Sequence, residues 1–351
     1  MQQLLHGGDW AGYRAQYGRD ALDMSANVSP LGLPSEVARA IAEALPSADR
    51  YPDPLCRELC AAIGAAEHVP PRQVLCGNGA ADLIYRLAWA KKPRTALVTA
   101  PAFAEYEAAL DTVGCRTVRF YLSEKDDFDV TEALLDAITP GVELVFLCQP
   151  NNPTGRLVSP ALLRTVLSRC AAQGTLLAVD ECFLEFLPDC ARHTLVPLLA
   201  EHPNLLVLKA FTKLYGMAGV RLGYALCADK ALLERMRQAG PPWAVSSLAQ
   251  AAGLAALRQT AYVGAVRALI ERERPILAHG LEALGLRVVP GQANYLLFRG
   301  PVGLCEALAA RGVVLRGCGN YPGLGPEWYR TAVRTGPENR KMLDALREVL
   351  I

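Results

Sequence analysis

Residues 205–227 read LLVLKAFTKLYGMAGVRLGYALC. The two ends, Leu205–Lys209 and Leu222–Cys227, are short apolar runs of the kind that form strands covered on both faces. Lys213 follows the first run, and Arg221 stands eight residues later in a glycine-bearing segment. In isolation these are ordinary loop cations. Outward from this stretch the same rhythm recurs. Thr95–Thr99, Leu144–Cys148 and Leu176–Asp180 are further candidate strands. Helix-like stretches at Ala80–Ala90, Ala104–Val113, Pro160–Gln173 and Leu232–Ala239 alternate with them. Such alternation predicts an α/β unit with a largely parallel sheet and right-handed crossovers.

The rhythm changes after Pro241-Pro242. A long helical region, Ser246–Leu284, leads into Leu286–Val289 and Tyr295–Arg299, then Gly303–Arg311, Val313–Arg316 and a last helix, Glu338–Leu350. This predicts a smaller α+β domain over 241–351, a large domain over 36–240, and an N-terminal arm over 1–35. The arm carries loop signals, His6-Gly7-Gly8 and Ser29-Pro30, and is expected to pack on the small domain.

A chain of 351 residues with 36 basic and 35 acidic side chains has a net charge of +1. That balance lacks the basic footprint of a nucleic-acid binder or a membrane-surface protein. No apolar run approaches the ~18 residues of a membrane span. Eleven cysteines, an odd number with no C-x-x-C pair, read as reduced thiols of a cytoplasmic protein. Most are expected to be small core residues, and no metal site is expected.

Four further segments follow apolar runs. Gly77-Asn78-Gly79-Ala80 opens a helix, where backbone N–H groups form an anion site. Pro101-Ala102-Phe103-Ala104-Glu105-Tyr106 supplies aromatics for the core or for the wall of a planar ligand. Gln149-Pro150-Asn151-Asn152-Pro153-Thr154-Gly155 has turn composition. Val179-Asp180-Glu181 ends a strand with a carboxylate, at the edge where open α/β sheets bind ligands.

In this order the segments resemble the fold-type-I pyridoxal-phosphate enzymes of the aspartate aminotransferase superfamily, over residues from about 20 to 340. The resemblance implies an α/β fold with a large domain on a mostly parallel sheet and a smaller α+β domain. It implies pyridoxal 5'-phosphate as cofactor. Lys213 would condense with its aldehyde. Asp180 would pair with the pyridine nitrogen, and Asn152 would hydrogen-bond the ring 3-oxygen. Phe103 would stack on the ring with Tyr106 beside it. Gly79, Ala80, Thr212 and Arg221 would hold the phosphate. Tyr51 matches a tyrosine that reaches the phosphate from the other subunit, which implies a homodimer with shared active sites. Two positions depart from the family pattern: Ala210 replaces a hydroxyl donor to the phosphate, and Phe183 replaces a tyrosine that bonds the 3-oxygen.

Cofactor residues do not choose the reaction. The segments His6-Gly7-Gly8, Ser25-Ala26-Asn27-Val28-Ser29-Pro30, Pro290-Gly291-Gln292-Ala293-Asn294-Tyr295, Arg316-Gly317-Cys318-Gly319-Asn320-Tyr321-Pro322-Gly323 and Trp328-Tyr329-Arg330 resemble the threonine-phosphate decarboxylase family of cobalamin biosynthesis. That resemblance implies decarboxylation of O-phospho-L-threonine to (R)-1-amino-2-propanol phosphate. Arg330, with Asn152, would hold the substrate carboxylate. His6, Gly7, Asn27 and Arg316 would hold its phosphate. The alternatives are a histidinol-phosphate type of aminotransferase and an O-phosphoserine decarboxylase, which differs from the first reading by one methyl group.

Overall fold

A computed structural model describes residues 7–350. Its strands, in chain order, are β1 (Leu22–Asp23), β2 (Val74–Gly77), β3 (Thr95–Ala100), β4 (Arg116–Tyr121), β5 (Leu144–Cys148), β6 (Leu176–Asp180), β7 (Leu205–Ala210), β8 (Gly223–Cys227), β9 (Arg287–Val288), β10 (Tyr295–Arg299), β11 (Val313–Val314), β12 (Arg316–Gly317) and β13 (Trp328–Ala332). Its α-helices are α1 (Trp10–Tyr17), α2 (Ser35–Ala44), α3 (Arg57–Glu67), α4 (Gly79–Lys91), α5 (Glu105–Asp111), α6 (Leu134–Ala137), α7 (Pro160–Ala172), α8 (Phe211–Leu214), α9 (Lys230–Gln238), α10 (Ser247–Ala256), α11 (Thr260–Ala283), α12 (Leu304–Ala309) and α13 (Gly336–Leu350).

The large sheet has the order β2-β8-β7-β6-β5-β3-β4. Strands β4, β3, β5, β6 and β7 run parallel, and β8 is antiparallel to both of its neighbours. The strand alternation explains why both faces are covered. On β5, Leu144 and Phe146 face the core that includes α4, α5 and α9, while Val145 and Leu147 face the core that includes α7 and α11. Every residue of β5, β6 and β7 is buried. Helix starts are fixed by local chemistry. Ser159 caps α7 ahead of Pro160, Asp229 caps α9, and Ser246 caps α10, each accepting from a backbone N–H three residues on.

A second sheet, β12-β13-β10-β9, is antiparallel. The N-terminal arm docks on this part of the chain. Strand β1 pairs in parallel with β11, and the Tyr13 hydroxyl donates to the Ala309 carbonyl at 2.8 Å. The arm is not all loop: α1 occupies Trp10–Tyr17, between the Asp9 side-chain cap and the left-handed Gly18.

Several sequence expectations are corrected. The helical region after Pro241-Pro242 is two helices, α10 and α11, broken at 257–259, and α10 packs back on α2 and α3. Val313–Arg316 is interrupted at Leu315, which separates β11 from β12. Strands β1, β2, β4 and β13 are additional to the sequence expectations. Strand β1 has two residues and β2 four, β4 is an edge strand, RTVRFY, whose polar positions break the apolar run, and the apolar run of β13 is interrupted by Arg330.

Candidate active site

Because β3, β5, β6 and β7 are parallel, the loops after them open on one edge of the sheet. Those loops carry Phe103, Asn152, the strand-end Asp180, and the turn with Thr212 and Lys213. The antiparallel β8 brings Arg221 to the same edge from its other side. A cavity of about 810 Å³ lies there, closed by the arm through Gly7, Ser25 and Asn27 and by the small sheet through Arg316 and Arg330.

Lys213 sits in the single turn of α8, and its carbonyl accepts from the Ser29 amide at 2.8 Å. Its Nζ faces the Phe183 ring, 5.9 Å from the centroid. Burial, with the nearby Arg330 and Arg221 cations, pushes its pKa down to about 8. The amine therefore gives up its proton more readily than a free lysine, as a nucleophile requires.

Asp180 is buried at the end of β6. Its Oδ2 accepts the Tyr106 hydroxyl at 2.7 Å, and its Oδ1 accepts the Cys182 amide at 3.0 Å. Each oxygen keeps a lone pair for a further donor. The thiols of Cys148 and Cys182 flank it, and burial together with the Asp180 charge raises both. Both thiols stay neutral near physiological pH.

At the mouth, Gly79 opens α4 with φ +83°, and a Cβ there would meet Arg221 Nη2 at 2.6 Å. The guanidinium thus lies against the bare backbone at a helix N-terminus. Arg221 itself is exposed and donates to the Ala218 carbonyl at 3.3 Å. Ala80 and the buried Thr212 line the cavity beside it.

The opposite wall holds two buried arginines. Antiparallel pairing of β12 and β13 sets Arg316 directly across from Arg330, so both leave the same face of the small sheet. Arg330 donates to Asn152 Oδ1 and to the Ser25 carbonyl. The Asn27 amide oxygen accepts from its Nε and Nη1 at 3.1 and 3.2 Å, with the amide oriented to suit those donors. Its guanidinium lies over the Tyr295 ring. Arg316 donates to the Gly317 carbonyl at 2.7 Å and to Asn320 Oδ1 at 2.8 Å, and lies over the Tyr321 ring.

The cavity thus gathers Lys213, Asp180, Asn152, Phe103, Ala80, Thr212, Arg221, Gly7, Asn27, Arg316 and Arg330. Two expectations change. Tyr106 is not beside the ring space: it is fully buried behind Asp180, stacked on Phe146. Asn27 faces Arg330 instead of joining Arg316. Tyr51, which the resemblance assigns to the site of a second copy, is 80% exposed, lies outside this chain's own cavity and stacks on Trp243 with centroids 4.5 Å apart. His6 lies outside the described residues. The wall also includes Ser25, Cys148 and Cys182, which the sequence reading had not singled out. Their positions beside the Asn27 segment, at the end of β5 and two residues past Asp180 were the available signals.

A lysine on a turn after a buried strand, facing a strand-end aspartate across a cavity with a guanidinium at a helix start, defines the class. The chain belongs to the class I and II aminotransferases, whose family model matches residues 19–347. It is 40% identical to the threonine-phosphate decarboxylase of Salmonella typhimurium, over 94% of this chain and 91% of that one. It is 37% identical to a histidinol-phosphate aminotransferase of an Anaeromyxobacter species, over 93% and 90%. Its fold matches the crystal structure of the histidinol-phosphate aminotransferase from Clostridium acetobutylicum with a TM-score of 0.87 at 28% identity, covering 93% and 98%.

The protein is an enzyme dependent on pyridoxal 5'-phosphate. Its residues fit that group. The Gly79 cradle leaves room that a Cβ would fill, Arg221 matches a phosphate, the Lys213 amine matches an aldehyde, and Asp180 matches a protonated ring nitrogen.

Proposed function

We propose that this enzyme decarboxylates O-phospho-L-threonine to (R)-1-amino-2-propanol phosphate, a step of cobalamin biosynthesis. The observation that carries the reading is the cross-strand pair Arg316 and Arg330 in the cavity that also holds Lys213. Two guanidiniums on one sheet face, both lining the cavity, suit a ligand with two anionic groups. A substrate with a carboxylate at one end and a phosphate at the other meets both. The 40% identity to the Salmonella threonine-phosphate decarboxylase supports the same substrate.

Lys213 would anchor the cofactor aldehyde, Asp180 its ring nitrogen, and Asn152 its 3-oxygen through the amide nitrogen that Arg330 leaves open. Gly79, Ala80, Thr212 and Arg221 would hold the cofactor phosphate, and Phe103 would cover the ring. When bound, pyridoxal 5'-phosphate supplies an electron sink for the charge left on Cα. The chain's own contribution is orientation. Arg330 forks the substrate carboxylate, and Asn152, Asn27 and the Ser25 carbonyl keep that guanidinium from turning. Arg316, with Gly7 and His6, holds the phosphate, so the two anchors set which Cα bond stands out of the ring plane.

The working form in this reading is a cytoplasmic homodimer, with Tyr51 of a second copy reaching the cofactor phosphate. The exposed Leu31, Leu33, Tyr51, Leu55 and Trp243 support such an interface. Its chain divides into the arm 1–35, the large domain 36–240 and the small domain 241–351.

The test is purified protein with pyridoxal 5'-phosphate and O-phospho-L-threonine, without a keto acid. Carbon dioxide release matched by aminopropanol phosphate in the ³¹P spectrum is the expected outcome. Turnover only with histidinol phosphate and 2-oxoglutarate would replace the decarboxylase with an aminotransferase. Faster turnover of phosphoserine would move the substrate by one methyl group.

A further inference from the structure

Outside the active site, three thiols meet between α3 and β2. The Cys60 and Cys76 Sγ atoms lie 3.7 Å apart, and the Cys56 thiol also contacts Cys76. Among the described residues, Cys148, Cys170 and Cys227 have thiols raised by burial, and no hydrogen bond joins any of them to another sulfur. The two thiols of the close pair differ in acidity. The hydrogen bond from Cys76 holds the Cys60 thiol below its ordinary pKa, while Cys76 is raised by the same neighbours and by burial. Both thiols are 8% exposed, Cys60 one turn into α3 and Cys76 in β2. Cys60 is therefore the thiol with the greater thiolate character.

We propose that Cys60 and Cys76 are a reversible dithiol–disulfide pair, a modification site separate from the catalytic cavity, formed by exchange with a low-molecular-weight disulfide. Cys60 thiolate attacks one sulfur of oxidised glutathione and releases one glutathione thiolate. Cys76, losing its proton as it attacks, displaces the second glutathione from Cys60. Two protein thiols are oxidised by two electrons, and one external disulfide is reduced to two thiols. Bond formation draws the sulfurs to about 2.05 Å. The strand that yields is β2, an edge strand of the sheet, bonded to β8 alone. Cys76 stands three residues before Gly79, so the displacement runs into the start of α4 and loosens the grip on a phosphate there.

The experiment equilibrates the holoenzyme in glutathione buffers of increasing oxidised fraction, alkylates the free thiols and maps the peptides. The expected result is one Cys60–Cys76 linked peptide, a loss of two alkylatable thiols, and recovery on reduction. The Cys56→Ser variant keeps the link, and Cys60→Ser abolishes it. A different pairing, or no Cys60–Cys76 link while the half-buried Cys190 or Cys305 becomes glutathionylated, overturns the proposal. Cofactor release, followed by its visible absorbance under gel filtration, should be several-fold faster in the linked form. Equal release rates would overturn the connection to the phosphate cradle. Neither readout depends on which substrate the enzyme takes.

Discussion

The Tyr106 hydroxyl donates to Asp180 Oδ2 at 2.7 Å from a fully buried ring that stacks on Phe146. The anion that would face the cofactor nitrogen is thus braced from behind, and burial with the Asp180 charge raises the phenol far above its ordinary pKa. Tyr106→Phe deletes that donor with little change of shape. A hydrogen bond to a charged group contributes about 1.5–3 kcal/mol. The dissociation constant for pyridoxal 5'-phosphate should rise about tenfold in a fluorescence titration of the cofactor-free protein. An unchanged constant would mean that the Cys182 amide alone orients Asp180.

The depressed pKa of Lys213 makes a prediction about stability. Its folded value of about 8 lies below the ~10.4 of a free lysine. Below pH 8 the folded, cofactor-free chain carries the full cost of the buried ammonium. Between pH 8 and ~10.4 the unfolded chain holds more protons, so this group's contribution improves as pH rises. Lys213→Met should therefore raise the Tm of the cofactor-free protein at pH 7. The gap from wild type should shrink by pH 10.

Glu181 has the opposite sign. It is buried, accepts the Thr194 hydroxyl at 2.7 Å and the Leu195 amide at 2.8 Å, and burial raises its pKa to about 7. Its favourable contribution is complete below the ~4.3 of a free glutamate and is lost as pH rises through 7. Glu181→Gln should match wild type in urea unfolding at pH 5 and exceed it at pH 8. Equal midpoints at both pH values would contradict the buried-acid account.

The two arginines of the small sheet should separate by substrate end. Arg316→Lys keeps a charge but loses the planar fork. It should weaken O-phospho-L-threonine binding tenfold or more while leaving the spectral response to unphosphorylated threonine unchanged. Arg330→Lys should weaken both. If Arg330→Lys affects only the phosphorylated ligand, the assignment of the two ends is reversed.

Much of the large domain was legible because its strands are continuous apolar runs and its chemistry sits directly after them. Lys213, Asp180 and Asn152 each follow such a run, so residue type and position agreed. Tyr106 was not legible in the same way. An aromatic at the start of α5 could face the cofactor or the sheet, and its direction depends on Phe146, 40 residues away in the chain. The opposition of Arg316 and Arg330 is a matter of strand register, and β12 is only two residues long. Nothing in so short a segment states its partner. The split of α10 from α11 was hidden for another reason. The break at 257–259 contains no proline or glycine to mark it.

The N-terminal arm has a mechanical consequence. Residues 22–24 are stitched to the small sheet's side of the molecule: Met24 N donates to the Val314 carbonyl, and Ala332 N donates to the Met24 carbonyl. A few residues on, Ser29 N holds the Lys213 carbonyl, and Gly32 backbone lies so close to Gly216 that a Cβ there would meet it at 2.6 Å. Met24 to Gly32 is therefore a short tie-rod between the sheet that presents the arginines and the turn that presents the lysine. Any swing of one relative to the other pulls on those nine residues, and the lysine turn feels what the arginines grasp.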